Sequence, residues 1–195
     1  MEQEKQFTEQ ESLQLISRTI YEAKGYFYES GIAAIVYGFS ILICSILTYL
    51  MEKGIITFPF HPFYLFIPVF FVQSVIQYKE EKKKKAKTFT DEAIDFVWMG
   101  FFLSVLVSFT AIFAGIDYMP ISIILLISGF ATFLTGMFSK FRYHTVCAFI
   151  CWALTAVSFF MQNENIYLLL AASSVFVWII PGFILNAFFK KQQHG

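Results

Sequence analysis

The chain has 195 residues, of which 57% are hydrophobic, 20% aromatic and only 14% charged. Because soluble domains carry about 25% charged residues, this composition excludes an ordinary soluble protein, a disordered chain and a disulfide-rich secreted module. The formal charges cancel, with 14 Lys and Arg against 14 Asp and Glu, but they are clustered, and in a membrane protein such clustering reports topology.

Residues 1–30 are predicted to form a cytoplasmic amphipathic helix. Thr8 and Glu11 have the spacing of a capping box at a helix start. Apolar side chains then recur at steps of three and four residues, which gives the helix one apolar face. The face contains Leu13, Ile16, Ile20 and Phe27. Such a helix either packs on the inner leaflet at the base of a bundle or docks a cytosolic partner.

Six apolar stretches follow, and each is long enough to cross a hydrocarbon core of about 30 Å as a helix that rises about 1.5 Å per residue. They form a predicted transmembrane domain over residues 31–189, followed by a cytoplasmic tail at 190–195. The spans are 31–51, 60–78, 95–116, 121–139, 143–161 and 166–189. Short connections predict three helical hairpins and an all-α, polytopic membrane fold.

The loop between the second and third spans has six lysines in nine positions. Near a membrane surface, each lysine attracts anionic headgroups by about 1 kcal/mol, and the cluster anchors the loop on the cytoplasmic side. These lysines are Lys79, Lys82, Lys83, Lys84, Lys85 and Lys87. No aromatic or glycine-rich recognition pattern surrounds them, so we expect lipid contact and no nucleic acid.

The placement of Lys and Arg predicts the orientation. With both termini in the cytoplasm, 13 of the 14 Lys and Arg residues lie inside and only Lys53 lies outside. Cytoplasmic loops carry the excess of Lys and Arg in membrane proteins. The sequence therefore predicts cytoplasmic N- and C-termini.

Uncharged polar and small residues occur within the spans, whereas no Lys, Arg, Asp or Glu lies deep inside one. Intramembrane charges mark proton relays and ion paths, so this pattern argues against a proton-coupled pump. Small residues at helical spacing, such as Gly100, Ser104 and Ser108, predict close helix packing. The alternative is a polar permeation path, lined by Gln73, Gln77, Thr155 and Asn186.

Pro181 predicts a bend in the sixth span, because it lacks a backbone donor and crowds the carbonyl of Val177. The bend would act as a hinge, or it would be fixed, with Asn186 bonding the freed backbone group.

His144, Cys147 and Cys151 share one face of the fifth span and are ligand types that Zn and Cu accept. The pattern lacks a fourth ligand, and cysteine commonly serves as a small hydrophobic residue, so we expect no metal and no cofactor. Nucleotide-binding, hydrolase and metalloprotease motifs are absent from the sequence. We therefore expect no enzymatic activity.

Several short stretches carry a resemblance to a known family. They are Ile16-Ser17-Arg18-Thr19-Ile20, Glu22-Ala23-Lys24, Tyr37-Gly38, Asp91-Glu92-Ala93, Trp98-Met99-Gly100, Phe138-Ser139-Lys140-Phe141-Arg142, Cys151-Trp152-Ala153 and Ile179-Ile180-Pro181-Gly182. On these residues the chain resembles a family of small six-span bacterial membrane proteins with no assigned activity. It departs from the family at Tyr37, where a Trp is usual, and at Tyr143, where a Pro is usual. The resemblance implies a multi-pass fold in the bacterial inner membrane.

The sequence thus predicts an integral membrane protein that acts through contacts with lipid, with itself, or with a cytosolic or membrane protein partner. Its role would be that of an interaction, assembly or signalling component. The alternative is a small channel or transporter for an uncharged or lipid-like solute.

Overall fold

The computed structural model describes residues 30–82, 89–113, 115–116, 118–161 and 163–194, and helices joined by short turns make up this part of the chain. The elements are α1 (Ile32–Glu52), a 3-10 turn (Pro62–Leu65), α2 (Phe66–Glu81), α3 (Phe89–Phe113), α4 (Met119–Ser139), α5 (Arg142–Ser158), α6 (Ile166–Ser174), a π-helical turn (Val175–Ile179) and α7 (Ile180–His194). The last three elements follow one another without a break and form one helical rod.

Four helical segments are long and apolar enough to cross a membrane. They are Ile32–Glu52, Phe89–Ala111, Met119–Ser139 and Ile166–Lys191. The described residues are therefore all-helical, as predicted, and their apolar helices support the predicted membrane character. The second and fifth predicted spans also fold as helices, but α2 has 16 residues and α5 has 17.

Large apolar side chains cover the outside of the described helices. Phe71 of α2 is 67% exposed and Val107 of α3 is 69% exposed, and many similar side chains surround them. Apolar surface on this scale is unusual for a soluble monomer. It is the surface that lipid chains cover in a membrane.

The prolines displace α2 from its predicted position. Residues before proline avoid helical geometry, and proline lacks an N–H donor, so the chain stays non-helical past Pro59 and turns at Pro62. Pro68 is tolerated because it lies in the first turn of α2, where backbone amides do not need a partner within the helix. The helix therefore begins at Phe66 and continues to Glu81, beyond the predicted end at residue 78.

Three helices end at a residue with positive φ, in the left-handed region that favours glycine. These residues are Gly54, Gly115 and Lys140, with φ of 70°, 77° and 56°. At each end the next amide donates to a carbonyl five residues earlier, as Phe141 does to Gly136 over 3.1 Å. Only Lys140 carries a Cβ, which costs about 1–2 kcal/mol in this conformation.

Two helices organise the packing. α1 packs along α2, α6, the π-helical turn and α7, while α4 packs between α3 and α5. A buried apolar cluster joins the two groups where α4 begins beside α6. Its members are Ile121, Leu125, Ile166, Tyr167 and Leu170.

α2 is shifted along α1 toward the Ile32 end. The Cys44 thiol donates to the Pro62 carbonyl over 3.4 Å, so the 3-10 turn starts opposite the middle of α1. Cys44 lies eight residues before Glu52, which corresponds to about 12 Å of helix. The far end of α2 therefore projects beyond the start of α1 by a similar distance.

Candidate functional site at the junction of α1, α2, α3 and the last rod

Glycines allow α1 to approach the π-helical turn and α7 closely. A Cβ added at Gly38 would lie 2.7 Å from Ile179 Cγ1 and 2.8 Å from Trp178 Cβ. A Cβ added at Gly182 would lie 2.8 Å from Ile35 Cγ1. Small residues at such contacts let helix backbones come together in a membrane. Close contact along this seam therefore depends on glycine at both positions.

Two side-chain amides from other helices bind the start of α1. Asn186 Nδ2 donates to the Ser30 carbonyl over 2.7 Å, and Gln73 Nε2 donates to the Ala33 carbonyl over 2.8 Å. Both residues belong to the predicted polar path, and the structure places both at this junction. If the bend at Pro181 were fixed by Asn186, Asn186 would bond the backbone carbonyl that Pro181 leaves without a donor. In the structure, Asn186 bonds the Ser30 carbonyl instead.

The irregularity predicted around Pro181 takes the form of a π-helical turn over Val175–Ile179. The Ile180 amide donates to the Val175 carbonyl, one residue further back than in an α-helix. This wider turn lies directly before Pro181, where the α-helical ladder lacks a donor. The turn also carries Trp178 toward α1 and α3.

An aromatic cluster fills the junction, and Trp178 is at its centre. The Trp178 ring lies 4.7 Å from the Tyr37 ring and 4.7 Å from the Trp98 ring, measured between centroids. Tyr37 also contacts Phe66 at 5.4 Å and Phe102 at 6.1 Å, both edge to face. Such pairs contribute about 0.5–1.5 kcal/mol each beyond area burial. The cluster thus joins α1, α2, α3 and the last rod.

The sequence pattern alone does not identify this cluster as a site. A signal was present, because Tyr37, Trp98 and the 179–182 stretch all belong to the segments that carry the family resemblance. These segments are far apart in the chain, and only the packing of the helices brings them together.

Thr155, the third described member of the predicted polar path, lies elsewhere. It is 2% exposed, and its hydroxyl donates to the Cys151 carbonyl of its own helix over 2.9 Å. Other buried hydroxyls also donate to carbonyls one turn earlier, a common arrangement for Ser and Thr in helices. They include those of Thr48, Thr132, Thr135, Ser173 and Ser174. Buried Ser45 differs, because its hydroxyl has no hydrogen-bond partner in the part of the chain that the structure describes.

The predicted lipid-contact and partner-contact residues are described only in part. Lys79 and Lys82 are exposed at the end of α2, and the Lys82 ammonium lies 4.6 Å from the centroid of the Tyr78 ring. Gln77 lies on α2, and its side chain is outside the described part. The remaining predicted contact residues also lie outside it: Leu13, Ile16, Ile20, Phe27, Lys83, Lys84, Lys85 and Lys87.

The cysteines of α5 are packing residues in the described structure. Cys147 and Cys151 are buried, and the Cys151 thiol donates to the Leu125 carbonyl of α4 over 3.3 Å. Within the described residues, no three His, Cys, Asp or Glu side chains are grouped closely enough to hold a metal ion.

A surface cleft of about 440 Å³ lies between α3 and α4. The cleft opens outward between the two helices, and its lining is mostly apolar. The residues are Leu103, Ser104, Val107, Ser108, Ala111, Ile123 and Ile127. The Ser104 and Ser108 hydroxyls donate to carbonyls of α3 itself, so the cleft offers few polar contacts.

An ion pair links the two turns at the opposite end of α1. The Lys53 ammonium donates to a Glu164 carboxylate oxygen at 2.5 Å. This hydrogen bond raises the pKa of Lys53 and lowers the pKa of Glu164. The pair fixes the start of α6 beside the end of α1.

Comparison with models of known protein families, with curated proteins and with solved structures found no match. The resemblance to a six-span bacterial family therefore stays a prediction.

Proposed function

We propose that this chain is a six-span protein of the bacterial inner membrane, with both termini in the cytoplasm, that acts by binding lipid or a protein partner. The internal use of its buried polar groups carries this proposal. Gln73, Asn186 and Thr155 each donate one hydrogen bond to a backbone carbonyl, so each of them has a partner within the bundle. Among the described residues, the Gln73 Oε1 atom is buried without a partner. A transporter needs polar groups that can exchange partners along a continuous wet path.

The packing of α5 supports a crossing by this shorter helix. Only Lys140 and Phe141 separate α4 from α5, and α4 is long enough to span. A Cβ added at Gly136 would lie 2.8 Å from the Thr145 amide, and one at Gly129 would lie 2.6 Å from the Trp152 ring. α5 therefore runs back in close contact with a spanning helix over most of its length.

The crossing near α2 is completed by residues that are not helical. The 3-10 turn begins about 12 Å short of the Glu52 end of α1, so residues 53–61 cover the remaining depth. Non-helical backbone is tolerated at membrane depth only where protein or water supplies its partners. At the start of the adjoining 3-10 turn, the Pro62 carbonyl has such a partner, because it accepts a hydrogen bond from the Cys44 thiol.

Residues 1–28 and the lysine loop are the segments through which the protein would contact its partner. The chain enters α1 at Ser30, which Asn186 holds against the last rod. A segment attached at so fixed a point can transmit binding to the bundle. The predicted apolar face with Ile16 and Ile20 would contact the partner, and the lysines would contact anionic headgroups.

The experiment is extraction in native lipid patches, followed by mass spectrometry of the proteins and lipids that co-purify. Ile16→Glu with Ile20→Glu removes the apolar face, while Gln10→Glu with Gln14→Glu adds the same charge outside it. We expect a protein partner with the wild type and the control, and its loss from the first variant. Equal recovery with all three would refute the contact role of this face.

Topology is tested separately, with single cysteines at Lys53 and Lys140 in a background without the native cysteines. A membrane-impermeant thiol reagent added to intact cells should label position 53 and spare position 140. The reverse pattern would refute the orientation.

A further inference from the structure

The last three spans carry a group of cations that have no acidic neighbour among the described residues. Lys140 and Arg142 flank the turn between α4 and α5, and Lys190 and Lys191 lie near the end of α7. Glu164 is the one acidic residue between positions 118 and 195, and it pairs with Lys53 at the opposite end of the rod. The four residues Lys140, Arg142, Lys190 and Lys191 are called the basic rim below.

Aromatic packing brings the two parts of the basic rim together. Phe141 is 6% exposed, and its ring lies 6.3 Å from the Phe188 ring of α7. The buried Phe141 fixes the turn, and its neighbours Lys140 and Arg142 are exposed on either side of it. Lys191 follows Phe188 by three residues and therefore shares its face of α7, one turn further along.

The basic rim has no internal counter-charge in the described structure. Neither Lys140, Arg142, Lys190 nor Lys191 forms an ion pair there. The α2–α3 end differs, because Asp91, Glu92 and Asp95 stand in the first turns of α3, after the lysine loop. Among the described residues, the basic rim therefore lacks the acidic neighbours that follow the lysine loop in the sequence, and an external anion can bind it.

We propose that the basic rim binds the headgroup phosphate of an anionic phospholipid from the inner leaflet. Arginine can donate two parallel hydrogen bonds to phosphate, and lysines add point charges. Tyr143 and Phe188 are 52% and 41% exposed beside these cations, where aromatic rings suit the boundary between headgroups and acyl chains. This inference rests on the proposed function, because the basic rim faces the inner leaflet only in the proposed topology.

The test uses the full chain in detergent micelles, titrated with phosphatidylglycerol or with phosphatidylcholine and followed by native mass spectrometry. The rim variant combines Lys140→Gln, Arg142→Gln and Lys191→Gln. The loop variant combines Lys79→Gln, Lys82→Gln and Lys84→Gln, and so removes the same charge elsewhere. Each cation near a bound headgroup contributes about fivefold in affinity. We expect the affinity of the rim variant for phosphatidylglycerol to fall about 100-fold relative to the wild type. The loss of affinity in the loop variant should be at least ten times smaller.

Three results would overturn the inference. Equal losses in both variants would show general charge attraction, and equal affinity of the wild type for the two lipids would show no headgroup selectivity. Thermal stabilisation by inorganic phosphate alone, lost in the rim variant, would assign the site to a free anion. Unchanged helical circular dichroism shows that each variant is folded.

An experiment that refutes the proposed topology can be distinguished from one that refutes lipid binding by the basic rim. Micelles have no inner or outer side, so the titration reports binding whatever the orientation. Labelling of position 140 from outside the cell would refute the proposed topology and leave the measured lipid selectivity to stand on its own.

Discussion

The seam between α1 and the last rod yields the most decisive prediction. Gly38→Ala places a methyl group 2.7 Å from Ile179 Cγ1 and 2.8 Å from Trp178 Cβ. Carbon atoms in good contact lie about 3.5–4.0 Å apart, so α1 has to move away by roughly 1 Å. Trp178 Cβ cannot move alone, because its ring packs between Tyr37 and Trp98. The strain therefore passes into the aromatic cluster.

The magnitude follows from two opposing effects. Overpacking a close contact costs about 1–3 kcal/mol, whereas alanine is favoured over glycine inside a helix by about 1 kcal/mol. Gly100 of α3 provides the matched control, because a Cβ there meets nothing within 4 Å. Gly100→Ala gains the helical preference without the clash. The free energies of unfolding of the two variants should thus differ by about 1–3 kcal/mol, with Gly38→Ala the less stable.

The measurement is unfolding of both variants in mixed micelles by increasing dodecyl sulfate, followed by tryptophan fluorescence. Trp98 and Trp178 lie in the cluster, so the emission of the folded Gly38→Ala variant should also shift. If Gly38→Ala is as stable as Gly100→Ala and its emission is unchanged, the close contact of Gly38 with Ile179 and Trp178 is refuted.

Three further predictions concern single positions. The ion pair lowers the pKa of Glu164 and raises the pKa of Lys53. The wild type should therefore be slightly more stable than Glu164→Gln between pH 4.5 and pH 10.5, the ordinary pKa values of the two groups. Thermal melts of both proteins should show this difference disappear as the pH falls below 4.5 or rises above 10.5. A difference that does not depend on pH would contradict the ion pair. Ser45→Ala removes a buried hydroxyl that has no partner among the described residues, so it should leave the free energy of unfolding unchanged or raise it. Ser174→Ala removes a hydrogen-bonded hydroxyl and should lower the free energy of unfolding by about 1 kcal/mol. Lys140→Gly should raise the free energy of unfolding by about 1 kcal/mol because φ is 56°, and Lys140→Ala, which keeps a Cβ, should not.

The helices could be predicted from sequence because apolar length is a strong local signal. Their ends could not be placed as well where other forces act. α3 begins at Phe89, six residues before the start of the predicted span, and Asp91 and Glu92 in its first turn suit the helix dipole. α7 continues to His194 through the lysines for a related reason, since cations suit the last turn of a helix.

The site was less accessible to sequence reasoning than the fold. Gln73 and Asn186 were identifiable as polar residues in apolar spans, but their acceptors lie 40 and 156 residues away in the chain. No periodicity reports such distances. The aromatic cluster likewise depends on which helices are neighbours in space, and hydropathy alone leaves that order open.

Contact between the first and last helices has a consequence for biosynthesis. α1 leaves the ribosome first, yet Gly38 and Ser30 find their partners only on the π-helical turn and α7. At about 5–20 residues per second, the roughly 140 residues from the end of α1 to the end of α7 take about 7–30 s to synthesise. During that interval the glycine face of α1 meets lipid or an insertion factor. A ribosome that stops before residue 166 therefore leaves α1 inserted without its principal packing partner, and quality control would encounter the protein in that form.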